Sequence, residues 1–175
     1  MPSESVSNKW RQFQQLCWRE RFVLAQALVL LPLNSLALRL VGFRRLQSAL
    51  ARLTPLAGSP VEESAERQIA QARIVARMVR AAAWYSPFRA SCLLQSLTLW
   101  WLLRRQELAS ELRIGVRTEA DRLEAHAWVE YRGVILNDRD DVHQRFTAFE
   151  GAIVPREQHL HERHRRHHHS GWHAR

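Results

Sequence analysis

The sequence predicts an α+β fold, in which a helix that begins at Cys92 packs on a small antiparallel sheet and an N-terminal helical region comes first. Three observations predict this fold. After Cys92, apolar residues recur with the spacing of a helix that is buried along one face. Further along, apolar and polar residues alternate as they do in strands. Before Cys92, residues 10–58 are rich in Leu, Ala and Arg, which favour helices.

The helix after Cys92 holds the first candidate functional residue. Its apolar positions are Leu93, Leu94, Leu97, Trp100 and Trp101. Ser91 is a suitable N-cap residue, so Cys92 falls in the first helical turn. Free backbone N–H groups and the positive end of the helix dipole favour a thiolate there. The position suits a nucleophile, and the alternative is a buried structural cysteine.

Length and cysteine content favour one domain with free thiols. The 175 residues suffice for one domain with a real core. Cys17 and Cys92 are too few for a disulfide framework, which indicates a reducing cytosol, and residues 1–21 show no secretory signal. The predicted organisation is a disordered 1–9, a helical 10–58, a catalytic domain over 59–154 and a disordered, basic, His-rich 155–175.

The net charge of +9 is concentrated at the two ends of the chain. Residues 1–58 carry +6 and residues 155–175 carry +3, whereas residues 59–154 are neutral. A nucleic-acid-binding domain would carry its positive charge on the folded contact face, so the pattern argues against nucleic acid as a partner. It fits a peptide, a protein or a membrane surface better.

The N-terminal region predicts two helices with a break near Pro32. Residues 22–31 are almost entirely apolar, but Gln26, Pro32 and the polar residues after it leave the run too short to span a bilayer. A helical hairpin packed on its own domain is the first interpretation. The alternatives are a docking surface for a partner protein and contact with the inner face of a membrane.

Residues 54–60 form a linker, after which Ser59, Pro60 and Glu62 fit the N-cap, N1 and N3 positions of a capping box. The inward stripe of the following helix is Ala65, Ile69, Ala72, Ala76, Val79 and Ala83. Three strands are predicted after the cysteine helix, over 112–116, 124–131 and 134–138.

Hairpin register decides which side chains meet across the second and third strands. A two-residue turn at 132–133 would leave His126 without a carboxylate directly opposite. A three-residue loop over 131–133, with glycine in the left-handed position, would pair His126 with Asp138. An imidazole held by a carboxylate can act as a base for a thiol. Cys92, His126 and Asp138 are therefore candidates for nucleophile, general base and orienting residue.

A set of short motifs resembles one enzyme family. They are Ser-Cys-Leu-Leu-Gln-Ser-Leu-Thr-Leu-Trp (91–100), Glu-Leu-Arg-Ile-Gly-Val-Arg (111–117), His-Ala-Trp-Val-Glu (126–130), Gly133 and Leu-Asn-Asp (136–138). Over about residues 20–145 the chain resembles the transglutaminase-like cysteine proteases of lasso-peptide biosynthesis, the microcin J25-processing type. The resemblance implies a papain-like core and an enzyme that removes the leader peptide from a ribosomally made precursor.

The resemblance also implies site residues and partners. The family's nucleophile, base and acidic residue fall on Cys92, His126 and Asp138. The N-terminal region has no segment of alternating strands that could form a leader-recognition domain, which indicates a stand-alone protease working with a small leader-recognition protein. The other implied partners are the precursor peptide and an asparagine-synthetase-like lasso cyclase. The leucines and arginines of the N-terminal region, separately from the resemblance, suggest an inner-membrane or transporter contact as a further expectation. Family members are ATP-dependent, but the sequence has no Walker-type loop, which assigns any nucleotide requirement to a partner or a non-standard site.

Three features depart from the family pattern. Glu107 stands where the family has glycine after the cysteine helix. Residues 159–175 contain seven histidines without the fixed spacing of a built metal site. No papain-type glutamine precedes Cys92, so the only oxyanion donor assigned is its own backbone N–H. Two other functions stay open: acyl transfer to an amine, and a non-catalytic scaffold that binds partners or a membrane.

Overall fold

The computed structural model describes residues 17–54, 64–86, 90–119 and 122–148. The helices in these ranges are α1 (Trp18–Val41), α2 (Phe43–Arg52), α3 (Ala65–Tyr85), α4 (Cys92–Arg104) and α5 (Val142–Arg145). The strands are β1 (Glu111–Glu119), β2 (Arg122–Tyr131), β3 (Val134–Ile135) and β4 (Thr147–Ala148). Helices come first and a small antiparallel sheet follows, which confirms the predicted α+β class.

Helix α4 lies at the centre of the molecule. It contacts α1 and α3 as well as β1 and β2. Its sequence has no polar stripe, and Leu97, Leu99 and Trp100 are completely buried. A helix that is apolar all round belongs inside a core. The prediction of one buried face was therefore too narrow, because α4 is enclosed by helices as well as by the sheet.

The predicted helix break at Pro32 is wrong, because α1 continues through this residue to Val41. Leu31 and Asn34 are buried on either side of Pro32, and Asn34 Nδ2 donates to Thr98 Oγ1 of α4 at 3.1 Å. This packing outweighs the cost of a proline inside a helix, which is about 3 kcal/mol. The chain breaks instead at Gly42, where φ is 77° and glycine is favoured.

Helix α3 begins at Ala65, with Ser64 at the N-cap position. The predicted capping box at 59–62 lies outside the described residues, as do the predicted terminal segments 1–9 and 155–175. The predicted inward stripe holds in its centre, where Ala72, Ala76 and Val79 are buried. Its first residue, Ala65, is exposed instead.

The sheet has the strand order β3-β2-β1-β4, and every neighbouring pair is antiparallel. Side chains of β2 alternate between two cores. Val129 and Tyr131 pack into the main core with the helices. Trp128 points to the other face and forms a second, small core with Val142 and Phe146. The residues from Val142 to Ala148, which carry α5 and β4, therefore cover the face of β2 opposite the main core.

The turn between β2 and β3 has two residues, since Tyr131 is paired with Val134. Arg132 and Gly133 both have positive φ, 50° and 76°, as a type I′ turn requires. The three-residue loop that would have put His126 directly opposite Asp138 is not present. Their contact needs another explanation.

Candidate active site

Cys92 is the first residue of α4, as predicted. The Ser91 side chain caps the helix by accepting a hydrogen bond from the Leu94 backbone N–H at 3.3 Å. The thiol is free and partly buried. It therefore lies where unpaired N–H groups and the helix dipole favour negative charge.

His126 and Asp138 are hydrogen-bonded through His126 Nε2 and Asp138 Oδ2. An ionised carboxylate can only accept, so Nε2 carries the proton and donates it. The second ring nitrogen, Nδ1, is then the free base. Both side chains are mostly buried, with exposed fractions of 24% for His126 and 14% for Asp138.

The contact forms because the third strand ends early. Leu136 still donates its N–H to the Val129 carbonyl at 3.0 Å. The Val129 N–H, however, donates to the Asn137 side chain Oδ1 at 2.8 Å instead of to a backbone carbonyl. The chain leaves the ladder at this point, which lets the Asp138 side chain reach a residue that is not its register partner. The predicted contact between His126 and Asp138 is present, but the three-residue loop from which it was predicted is not.

The other oxygen of the Asp138 carboxylate is held separately. Oδ1 accepts the Arg139 backbone N–H at 2.6 Å and Arg145 Nη2 at 3.0 Å. Burial opposes ionisation of this carboxyl. The hydrogen bonds from Arg139 and His126 outweigh it, together with the positive charges of Arg145 and of His126 when its ring is protonated, so that the pKa of Asp138 lies below its ordinary value. Asp138 is thus a fixed carboxylate with one oxygen left for His126.

Phe146 covers one face of the imidazole. Its ring stacks on His126, with centroids 4.9 Å apart and an interplanar angle of 26°. The guanidinium groups of Arg117 and Arg145 lie 5.0 and 5.5 Å from the Phe146 ring centroid. Arg145 therefore touches both the carboxylate and the aromatic ring that border His126. Arg145 at the end of α5 and Phe146 between α5 and β4 therefore fix the histidine in place.

A buried polar chain connects α4 to the strand that carries His126. Ser96 Oγ donates to the Ala127 carbonyl at 2.9 Å, and Asn137 Nδ2 donates to Ser96 Oγ at 2.8 Å. Ser96 is one helical turn after Cys92 and on the same face. One turn rises about 5.4 Å, so the Ser96 hydrogen bond anchors to β2 the helical turn that follows Cys92. Within the described residues, no hydrogen bond joins the Cys92 thiol to the His126 ring.

Gly115 makes room for the neighbouring tryptophan. It is the register partner of His126 on β1 and also pairs with Ala148 of β4. A Cβ at this position would come within 3.0 Å of the Trp128 ring and of the Thr147 carbonyl. The close approach leaves Trp128 fully buried beside His126, at a centroid distance of 6.4 Å.

Sequence reasoning missed four residues that support the site: Ser96, Asn137, Arg145 and Phe146. Ser96 stood out as a small polar residue inside an otherwise apolar helix, and both Ser96 and Asn137 lie within the family motifs 91–100 and 136–138. No periodic pattern could point to the other three, because they lie in short or irregular segments.

Residues 37–150 match the family model of the transglutaminase-like superfamily. The chain belongs to the transglutaminase-like superfamily. This superfamily includes cysteine peptidases and acyltransferases. The match covers all the described strands and the cysteine helix. No curated protein and no solved structure matches the chain at a significant level.

A metal centre has no support in the part of the chain that the structure describes. No group of three or more His, Cys, Asp or Glu side chains there could hold a metal ion. The His-rich residues 159–175 lie outside the described ranges.

Proposed function

We propose that this protein is a cysteine peptidase that removes the leader peptide from a lasso-peptide precursor, with Cys92 as nucleophile, His126 as general base and acid, and Asp138 as the orienting carboxylate. The observation that carries the proposal is the His126–Asp138 hydrogen bond beside a helix that begins with a free cysteine. Membership in the transglutaminase-like superfamily supports the reaction class. The lasso-peptide substrate rests on the motif resemblance.

The proposed reaction begins with proton transfer from the Cys92 thiol to His126 Nδ1. The thiolate attacks the carbonyl carbon of the scissile peptide bond, and the C–N bond breaks as His126 returns the proton to the leaving amine. A thioester remains on Cys92. Water, deprotonated by His126, then hydrolyses the thioester and regenerates the thiol.

The surroundings of His126 suit this role. Asp138 binds Nε2 and thereby leaves Nδ1 as the acceptor. The carboxylate also stabilises the imidazolium that forms during each proton transfer. Phe146 restricts rotation of the ring. At the oxyanion, the backbone N–H of Cys92 is the one donor that we assign.

The proposal includes the partners expected from the resemblance. A small leader-recognition protein would present the precursor, and an asparagine-synthetase-like cyclase would close the ring on the cleaved core peptide. The reaction would take place in the cytoplasm. ATP, if the reaction requires it, would be bound by a partner or at a non-standard site.

The test compares two single-cysteine substitutions. Purified protein would be mixed with the precursor and the leader-recognition protein, and leader release followed by mass spectrometry. We expect Cys92→Ala to lose at least about 10⁴-fold in rate, because removal of a nucleophile leaves only binding effects. Cys17→Ala should retain the wild-type rate. Leader release by Cys92→Ala at the wild-type rate would exclude the mechanism.

The superfamily assignment also supports a second candidate function, acyl transfer from the Cys92 thioester to an amine. The same mass spectra separate the two reactions. Hydrolysis yields two fragments, and the carboxyl group at the new end gains the oxygen of water. Transfer instead yields a cross-linked product whose mass includes the added amine.

A further inference from the structure

Helix α1 has two apolar faces, and only one of them is covered by the described residues. Leu24, Ala27, Leu31 and Asn34 are buried against the protein. The opposite side carries Trp18, Phe22, Val29, Leu33, Leu36 and Leu40, which are 55–74% exposed. We call this second set the outer stripe. At 100° per residue its members fall within an arc of about 60°, and it runs about 33 Å along the helix.

Charge is confined to the two ends of this helix. The sequence from Phe22 to Leu38 contains no charged residue. Arg19 and Arg21 precede that segment and Arg39 follows it. Helix α2 adds three more exposed arginines, Arg44, Arg45 and Arg52. Among residues 17–54 the only acidic residue is Glu20, and it is paired with Arg77. Helices α1 and α2 are therefore apolar along the outer stripe and strongly basic around it.

A shallow groove lies next to the outer stripe, between α1 and α4. Its volume is 340 Å³ and its lining is Ala25, Gln26, Val29, Leu30, Trp101 and Arg105. Arg105 is the one charged side chain of this lining, and its guanidinium lies 5.1 Å from the Trp101 ring centroid. An apolar slot with a cation at its edge fits a lipid, which has an acyl chain and an anionic headgroup.

We infer that the outer stripe of α1 docks in the plane of an anionic lipid bilayer, with the stripe in the acyl region and the arginines of α1 and α2 at the headgroups. Trp18, which is 70% exposed and lies under the Arg19 guanidinium, suits the interface between the two. This inference does not depend on the proposed peptidase activity.

Other occupants fit the charges less well. A second copy of the chain would bring arginines against arginines, whether the two α1 helices ran parallel or antiparallel. A protein partner is usually selected by hydrogen bonds and charges within the contact, and the outer stripe offers only the Trp18 indole N–H. An anionic bilayer needs no such match and complements the basic ends.

A helix crossing the membrane also fits less well. By length and composition α1 could span a bilayer, a criterion that core helices and signal sequences meet as well. Spanning would however withdraw α1 from α3 and α4, and would break the buried hydrogen bond from Asn34 to Thr98. Docking in the membrane plane keeps these contacts and buries only the outer stripe.

Vesicle sedimentation tests the inference with the full chain. The probes are phosphatidylcholine vesicles with and without phosphatidylglycerol. The stripe variant is Val29→Asp/Leu36→Asp, and the charge variant is Arg44→Gln/Arg45→Gln, all at exposed positions. The matched control is Leu123→Asp, which places the same charge on an apolar side chain of β2 that is 73% exposed.

We expect wild-type protein and Leu123→Asp to sediment equally with the anionic vesicles. The stripe variant should bind at least about tenfold more weakly, and the charge variant should lose the preference for phosphatidylglycerol. Circular dichroism would verify that each variant folds. The inference is overturned if wild-type protein stays in the supernatant or if the stripe variant sediments like wild type. A dimer that the stripe variant abolishes, without vesicle binding, would assign the surface to a second copy instead.

Discussion

Cys17 and Cys92 both lie at the N-terminal end of a long helix, but their surroundings differ. Cys17 is the exposed N-cap residue of α1, and its backbone N–H donates to the Glu20 carboxylate at 3.0 Å. Cys92 is partly buried at the start of α4, whose next turn is bonded to the strand of His126 through Ser96. Both residues lie beside the unpaired backbone N–H groups of a helix N-terminus. In the proposed mechanism Cys92 differs from Cys17 by having a base, His126, and that difference can be tested.

Among substitutions that keep both cysteines, His126→Ala should have the largest effect, because it should make Cys92 behave like Cys17. Without the imidazole, nothing takes the thiol proton, and we expect leader release to fall about 10²- to 10⁴-fold. Alkylation of Cys92 by iodoacetamide should slow to the rate of Cys17, measured on the two cysteine peptides by mass spectrometry. The proposed difference between the two cysteines is contradicted if Cys92 in His126→Ala is alkylated as fast as in wild-type protein.

Arg145→Met should have a smaller effect, because Arg145 acts through Asp138 and Phe146. We expect kcat to fall about tenfold, the equivalent of roughly 1.4 kcal/mol, with KM unchanged. Loss of the guanidinium raises the pKa of Asp138 towards its ordinary value, so the acid limb of the pH profile should move to higher pH.

Arg145→Lys is the conservative control for this position. It restores the charge without the planar fork and should recover part of kcat. A change in KM alone, or a pH profile identical to that of wild type, would show that Arg145 does not orient Asp138.

Asp138→Asn tests whether the Asp138 carboxylate is ionised in the folded protein, by its effect on the free energy of unfolding. Because folding lowers the pKa of Asp138, its carboxylate stabilises the fold above the unfolded value of about 3.9, and this contribution is lost as pH falls through the lower folded value. We expect the variant to lose about 1.5–3 kcal/mol in urea unfolding at pH 7, and the difference to shrink below pH 4.

Asp140→Asn serves as its control, since Asp140 is exposed and two residues away. It should unfold like wild-type protein at every pH. An equal loss in both variants, or a difference for Asp138→Asn that does not change with pH, would contradict the assigned ionisation.

The smallest effect should come from Glu107→Gly, which leaves both cysteines alone. Glu107 has φ of 61° just after α4, in the left-handed region that glycine adopts without strain. Glycine would relieve the backbone strain at this position in the folded state. Part of that gain in stability is offset, because glycine also raises the conformational entropy of the unfolded chain. We expect about 0.5–1 kcal/mol of added stability by urea unfolding, with unchanged alkylation of both thiols. A loss of stability would show that the Glu107 side chain makes a contact worth more than the strain.

The sequence predicted those parts of the fold that follow from long patterns. The cysteine helix, its Ser91 cap and the alternation in β1 and β2 all extend over several turns or residue pairs. Pro32 was misread because local propensity predicted a break that the packing of α1 overrides. Similarly, tertiary packing encloses α4 on more than the one side that its apolar spacing predicts.

The residues that hold His126 and Asp138 in place could not be predicted from sequence patterns. The sequence could not decide between a two-residue and a three-residue turn at 132–133. Nor could it show that the chain leaves the sheet where the Asn137 side chain replaces a backbone carbonyl as the acceptor of a hydrogen bond. Helix α5 has four residues and β4 has two, which is too short for any periodicity. Arg145 is the last residue of α5 and contacts Asp138, and Phe146 lies between α5 and β4 and contacts His126. Only the fold brings these residues together.

The most direct test of the central claim is the pH dependence of alkylation at Cys92 and Cys17 in the same wild-type sample. The account predicts that Cys92 reacts at least about tenfold faster than Cys17 below pH 7, because His126 takes its proton there. This excess should vanish in His126→Ala. Two identical pH curves, both unchanged by that substitution, would contradict the account.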